Sequence, residues 1–146
     1  MTTSETNDLL NRILVLHARS LPMYLGYAQP DQLWKNPKAA AVLNQIVEDH
    51  KRTVDRLAAL ILDNHGTVDH GEFPMSFTGL HDLSVDYLFK QLIERQKRFI
   101  AVIEKLAEQL KLAPYAQAAA REAVGEARGH LENLEELAAD RAHHAA

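Results

Sequence analysis

Three histidines and a glutamine stand where a helical chain should be oily: His17, His50, Gln96 and His130 each replace an apolar residue in a stripe of helical period. Neutral imidazole is a ligand for zinc, copper or ferrous iron and a proton acceptor near neutral pH. Glu126 lies one turn before His130 and supplies a carboxylate. His17, His50, His130 and Glu126 together make a donor set of the size one divalent ion takes, with Gln96 as a hydrogen-bonding partner behind it. The same residues also suit a closed polar network, because each buried ring must find partners or cost a few kcal/mol. A trapped water would fit such a network.

Four helices must position these residues. The first is expected over about 5–28, capped by Ser4 or Thr6, with the stripe Leu10, Ile13, Leu14, His17, Leu21, Tyr24 and Leu25. Pro22 lies inside it and predicts a kink, because proline removes an amide and presses on the carbonyl of Ala18. A loop over 29–36 carries Trp34. Asn36-Pro37 opens a second helix over about 37–64, with Gly66 as its stop. The third is expected over about 80–112 and the fourth, opened by Pro114, over about 114–139. His143 and His144 then fall in a fraying tail. Residues 66–80 read as an extended strap whose Val68, Phe73, Met75 and Phe77 lie on the helices. A connection of about 15 residues is long for a bundle. Extended, it spans roughly 50 Å, enough to return along a helix of roughly 43 Å. A crossover is therefore favoured over simple up-down-up-down order.

The spacing brings the four polar residues to one level. His17 and His50 are about equally far from the first interhelical turn, and Gln96 and His130 from the last. At ~1.5 Å per residue each pair sits roughly 25 Å from its turn, near mid-helix in either topology.

With two antiparallel helix pairs, a long crossover and partners 33 and 34 residues apart (His17 to His50, Gln96 to His130), the chain resembles the ferritin-like superfamily from about residue 5 to 139. The resemblance implies an all-α four-helix bundle with a mid-bundle metal site and a role in iron or oxidant handling. The family's pattern is a glutamate on the first and third helices and Glu-x-x-His on the second and fourth. Here His17 and Gln96 occupy the glutamate positions, and Val47 and Ala127 stand three residues before His50 and His130. A di-iron centre needs about four carboxylates; Glu126, joined by Asp49 if it turns inward, supplies two. Ferroxidase activity is not carried over. The leading expectation is a modified, histidine-rich site for one divalent ion of iron, zinc or copper. The alternative is a non-catalytic structural or interaction module whose buried network fixes helix register.

Gly125 and Gly129 lie one turn apart beside His130. Close approach of a neighbouring helix is the plainer expectation; room for a flat ligand such as haem, with axial histidines, is the sharper and less favoured one. His81-Asp82 is expected at a helix start, with Asp82 complementing the helix dipole. Glu94, Lys97, Arg98, Glu104, Lys105 and Glu108 form a solvated face. Tyr24, Tyr27 and Tyr87 are expected in the core or at its boundary. No nucleophile–base–acid set or glycine-rich phosphate loop is present. A net charge of −4 and the lack of a basic face argue against nucleic acid. The absence of cysteine removes thiolate metal sites and disulfides. The first eight residues, Met1 to Asp8, do not form a signal peptide, and no apolar run approaches the ~20 residues of a membrane span. The expectation is a cytoplasmic protein that does not engage membrane, dimeric through a bundle face.

Overall fold

The computed structural model describes residues 1–80 and 83–145, and among these it is all-α, without a strand. The helices are α1 (Thr3–Ala18), α2 (Leu21–Ala28), α3 (Asp31–Trp34), α4 (Pro37–Asp63), α5 (Val85–Gln109) and α6 (Pro114–Ala145). A 3-10 turn covers Met75–Leu80. No helix among the described residues is long and apolar enough to cross a membrane.

The first expected helix is two helices, not one kinked helix. Pro22 sits in the first turn of α2, and Ser20 caps that turn, its hydroxyl accepting from the Met23 amide at 3.4 Å. Proline is tolerated there because the early amides of a helix have no internal partner. α1 begins earlier than expected: Thr2, not Ser4 or Thr6, caps it, in a reciprocal capping box with Glu5. The expected loop over 29–36 contains the single turn of α3, and the Trp34 indole N–H ties it back to the Leu25 carbonyl at 3.1 Å. Asn36 caps α4 as its sequence predicts, accepting from Lys38 and Ala39.

The exit from α4 corrects the role given to Gly66. His65, at φ 59°, takes the left-handed position, while the Gly66 amide bonds back to Ile61 and the His65 amide to Leu62. This is the Schellman pattern with histidine at the position glycine usually holds. Gly66 is required for another reason: a Cβ there would run into Asn7 and Ile61.

The strap lies against α1 and climbs with it. Asn11 donates to the Thr67 carbonyl and accepts from the Asp69 amide; eight residues on, Arg19 Nε donates to the carbonyls of His70 and Gly71. Gly71, at φ 63°, passes Val15, and Phe73 meets Tyr24 edge-on. Phe77 is buried, but Met75 is exposed, contrary to its expected place against the helices. The segment is not wholly extended, since its last six residues form the 3-10 turn. α5 consequently starts at Val85, capped by Ser84, rather than near residue 80, and ends at Gln109 rather than near 112. The His81-Asp82 expectation lies outside the described residues. α6 runs to Ala145, past the expected end at 139, so His143 and His144 are helical rather than a tail.

Two apolar clusters hold the helices together. One joins Leu10, Ile13 and Leu14 of α1 to Leu57 and Ile61 of α4, Ile103 and Leu106 of α5, and Ala116 and Ala120 of α6. The other joins Leu21 and Leu25 of α2 to Leu43 and Ile46 of α4, Leu88 and Leu92 of α5, and Leu134 and Leu137 of α6. α4 and α5 both travel from the second cluster to the first, and the strap makes the return between them. Tyr24 is buried; Tyr27 and Tyr87 are exposed.

Candidate polar site between the two apolar clusters

Between the clusters the core turns polar. His17, His50, Gln96 and His130 are 2%, 2%, 3% and 4% exposed, and Asp49 joins them at 8%. The His17 and His50 rings meet edge-on with centroids 4.9 Å apart, and His50 and His130 are 5.8 Å apart. Phe99, from α5, packs on both His17 (4.8 Å) and His50 (5.5 Å) and closes the apolar wall around them. The three imidazoles thus converge as their spacing predicts. Gln96 reaches the same layer but directs its amide at α6, donating to the Ala127 carbonyl at 3.0 Å.

Each ring has one nitrogen held from outside the cluster. His17 Nδ1 donates to the Ile13 carbonyl at 2.8 Å. His50 Nδ1 lies 3.0 Å from the Ser20 hydroxyl, which the α1–α2 break brings to it. His130 Nε2 donates to Asp49 Oδ2 at 2.7 Å. His130 Nδ1 is enclosed and meets no hydrogen-bond partner.

Burial sets the protonation of this layer. Desolvation pulls His17 down to about 4, against the Ile13 carbonyl, which favours the proton, and with help from His130. Desolvation pushes His50 well below the ordinary histidine value; His17 and His130 add to this, and the His17 backbone carbonyl opposes it. Both rings are therefore neutral near pH 7, and His17, with its proton on Nδ1, carries its lone pair on Nε2. For Asp49, burial pushes the carboxyl up, but hydrogen bonds from His130, Arg52 and Gln45 outweigh it and hold the carboxyl below its ordinary value. Gln45 and Arg52 occupy Asp49 Oδ1 at 2.9 and 2.6 Å, so both oxygens of this carboxylate are engaged, Oδ1 by two donors and Oδ2 by His130.

Glu126 stands elsewhere. It is half-buried at the edge of the layer, 3.8 Å from Arg52, with its carboxyl raised by burial and then by Asp49, and lowered by Arg52. The carboxylate that meets a site histidine is Asp49, placed one residue before His50. A signal for it was present, since Asp49 borders the apolar stripe of α4 beside a histidine already in the core. Asp49 does turn inward, the condition set for it in the sequence, whereas Ser20 was missed. Ser20-Leu21-Pro22 has the form of a helix start, the same signal that marks Asn36-Pro37.

Among the described residues, no three histidine, aspartate or glutamate side chains have donors arranged to hold a metal ion. No known protein family, curated protein or solved structure matches the chain. The donor set does not fit a di-iron centre: one inward carboxylate is spent on His130, Gln45 and Arg52, and the other pairs at the surface. Gly125 and Gly129 do not mark close helix approach, because a Cβ at either would meet nothing within 4 Å.

Proposed function

We propose that the chain is a ferritin-like four-helix bundle, with α1–α2 and α4 as one antiparallel pair, α5 and α6 as the other, and the strap as a long crossover. In it a hydrogen-bonded His–Asp–Gln layer stands where the family keeps its metal centre, and the protein acts as a non-catalytic structural or interaction module. The engaged Asp49 carboxylate carries this reading: the bond from His130 to Oδ2 ties α6 to α4, while Gln45 and Arg52, on α4 itself, hold Oδ1 and fix the carboxylate in place. The strap's hydrogen bonds along α1 support the crossover. A polar layer of this kind fixes register, since sliding one helix past another would strand buried donors and acceptors.

The unpartnered Nδ1 of His130 favours a second reading. With Asp49 holding Nε2, that nitrogen has the outer-partner arrangement of a metal-bound histidine. A single divalent ion would take His130 Nδ1, His17 Nε2 and a nitrogen of His50 once the rings turn toward a common point, with Gln96 behind them and Glu126 beyond Asp49.

Tag-free protein stripped with chelator and titrated with Co(II) separates the two. The module takes up no stoichiometric metal and its melting temperature is unmoved. One equivalent of Co(II) with tetrahedral absorption bands, lost in both His17→Ala and His130→Ala while both variants still fold, would overturn the module and establish the ion site.

A further inference from the structure

A groove opens beside the polar layer, where the α1–α2 break leaves a gap that the strap and α5 only partly fill. Its volume is about 340 Å³, within the range of small-molecule sites. The lining is mainly apolar, with Phe77 from the strap and Phe99 from α5 among its walls. Arg19, Arg95 and Arg98 stand around it with Glu72 as the one carboxylate. Among the described residues none of the three arginines forms an ion pair. Arg19 spends its Nε on two strap carbonyls and lies over Phe73, and Arg95 lies over Phe77 at 5.0 Å. Arg95 Nε is buried and without a hydrogen-bond acceptor. With that nitrogen enclosed, the terminal nitrogens of Arg95 and those of Arg98 are left to meet a ligand, and a carboxylate is the strongest complement of a guanidinium. An apolar slot rimmed by unpaired cations therefore matches a ligand with a hydrocarbon body and one negative head.

We propose that this groove binds a small amphiphilic carboxylate, its head paired with Arg95 and Arg98 and its apolar body against Phe77 and Phe99. The site does not depend on the polar layer's holding or lacking a metal. It does touch that layer: Ser20, which lies in the groove wall, bonds His50, and Phe99 packs on both His17 and His50. Occupancy therefore perturbs those two rings.

The test titrates octanoate into chelator-treated protein at pH 7 and low salt by calorimetry, with 1-octanol as the uncharged control, and follows the His17 and His50 ring signals by NMR. The expected result is saturable one-site binding of octanoate, at least about tenfold tighter than octanol, with both ring signals shifting along the same isotherm. Arg98→Gln, at an exposed position that leaves folding intact, weakens octanoate by about tenfold, and Arg95→Gln by at least as much. Unsaturable heats, equal affinity for octanol, unchanged affinity in Arg98→Gln, or saturation without movement of the two ring signals would each overturn the proposal.

Discussion

Acid should weaken this protein well before its carboxylates titrate, and His17 sets the scale. Its ring is held at about 4 in the folded chain, against an ordinary value of 6.5. Between those values the unfolded chain binds the extra proton, so stability falls as pH falls. The loss is negligible above pH 7, reaches about 2 kcal/mol at pH 5 and levels near 3 kcal/mol below pH 4, from His17 alone. His50, displaced in the same direction by the same burial, adds to it. Asp49 acts later, since its lowered carboxyl costs stability only as pH falls below the ordinary carboxylate range. Glu126 works in the opposite sense, but its half-exposed position beside Arg52 damps the effect. Urea unfolding followed by circular dichroism at pH 7.5, 6.5, 5.5 and 5 measures the sum. At a slope of roughly 2 kcal/mol per molar, the midpoint should drop by about 1 M between pH 7 and 5. His17→Leu should flatten that dependence whatever it does to stability at pH 7. A midpoint that holds steady or rises toward pH 5 would show that the rings are not buried neutral, and the reasoning about the polar layer would fail.

Other substitutions probe particular contacts. Gly125→Ala and Gly129→Ala should each stabilise by up to about 1 kcal/mol, because alanine favours the helix and the space is open; a lower melting temperature in either would reveal an approach at that position. Gly71→Ala should destabilise by about 1–3 kcal/mol, since the residue combines φ 63° with contact against Val15, and thermal melts would expose a strap that tolerates it. Asp49→Ala should cost about 1–3 kcal/mol by leaving His130 Nε2 and its neighbours without an acceptor. Urea unfolding that finds Asp49→Ala neutral would remove the carboxylate from the network.

Much of the fold was legible because long amphipathic stripes leave little choice. Every residue of the first stripe from Leu10 to Leu25 is buried, and so are Ala116, Ala119, Ala123, Ala127, His130, Leu134 and Leu137, which recur at helical spacing along α6. The strap runs along α1, but its last six residues coil into a 3-10 turn and Met75 is exposed, which its length alone does not foretell; the convergence of His17, His50 and His130 follows from counting residues to each turn. Local backbone chemistry was harder to read. His65 takes the left-handed position at the end of α4, while Gly66, the expected stop, instead passes close to Asn7. α5 starts at Val85 because Ser84 caps it there, its hydroxyl accepting from the Tyr87 amide. In the site, spacing gave the level of each side chain but not its rotation about the helix axis, which separates Asp49 pointing in from Glu126 pointing out.

Pro22 links these features. Without it, Ser20 would sit in a continuous helix, its hydroxyl competing for a carbonyl one turn back. With it, α1 ends at Ala18 and Ser20 becomes a cap whose oxygen bonds the Met23 amide and meets His50 Nδ1. The same interruption leaves Arg19 at the strap, where it anchors the His70 and Gly71 carbonyls and edges the groove. One proline thus sets the outer partner of a buried histidine, the attachment point of the strap and one wall of the apolar slot. The Ser20 contact to His50 and one side of the groove both follow from a single break in one helix, so a ligand that fills the slot acts on a residue that holds His50 in place.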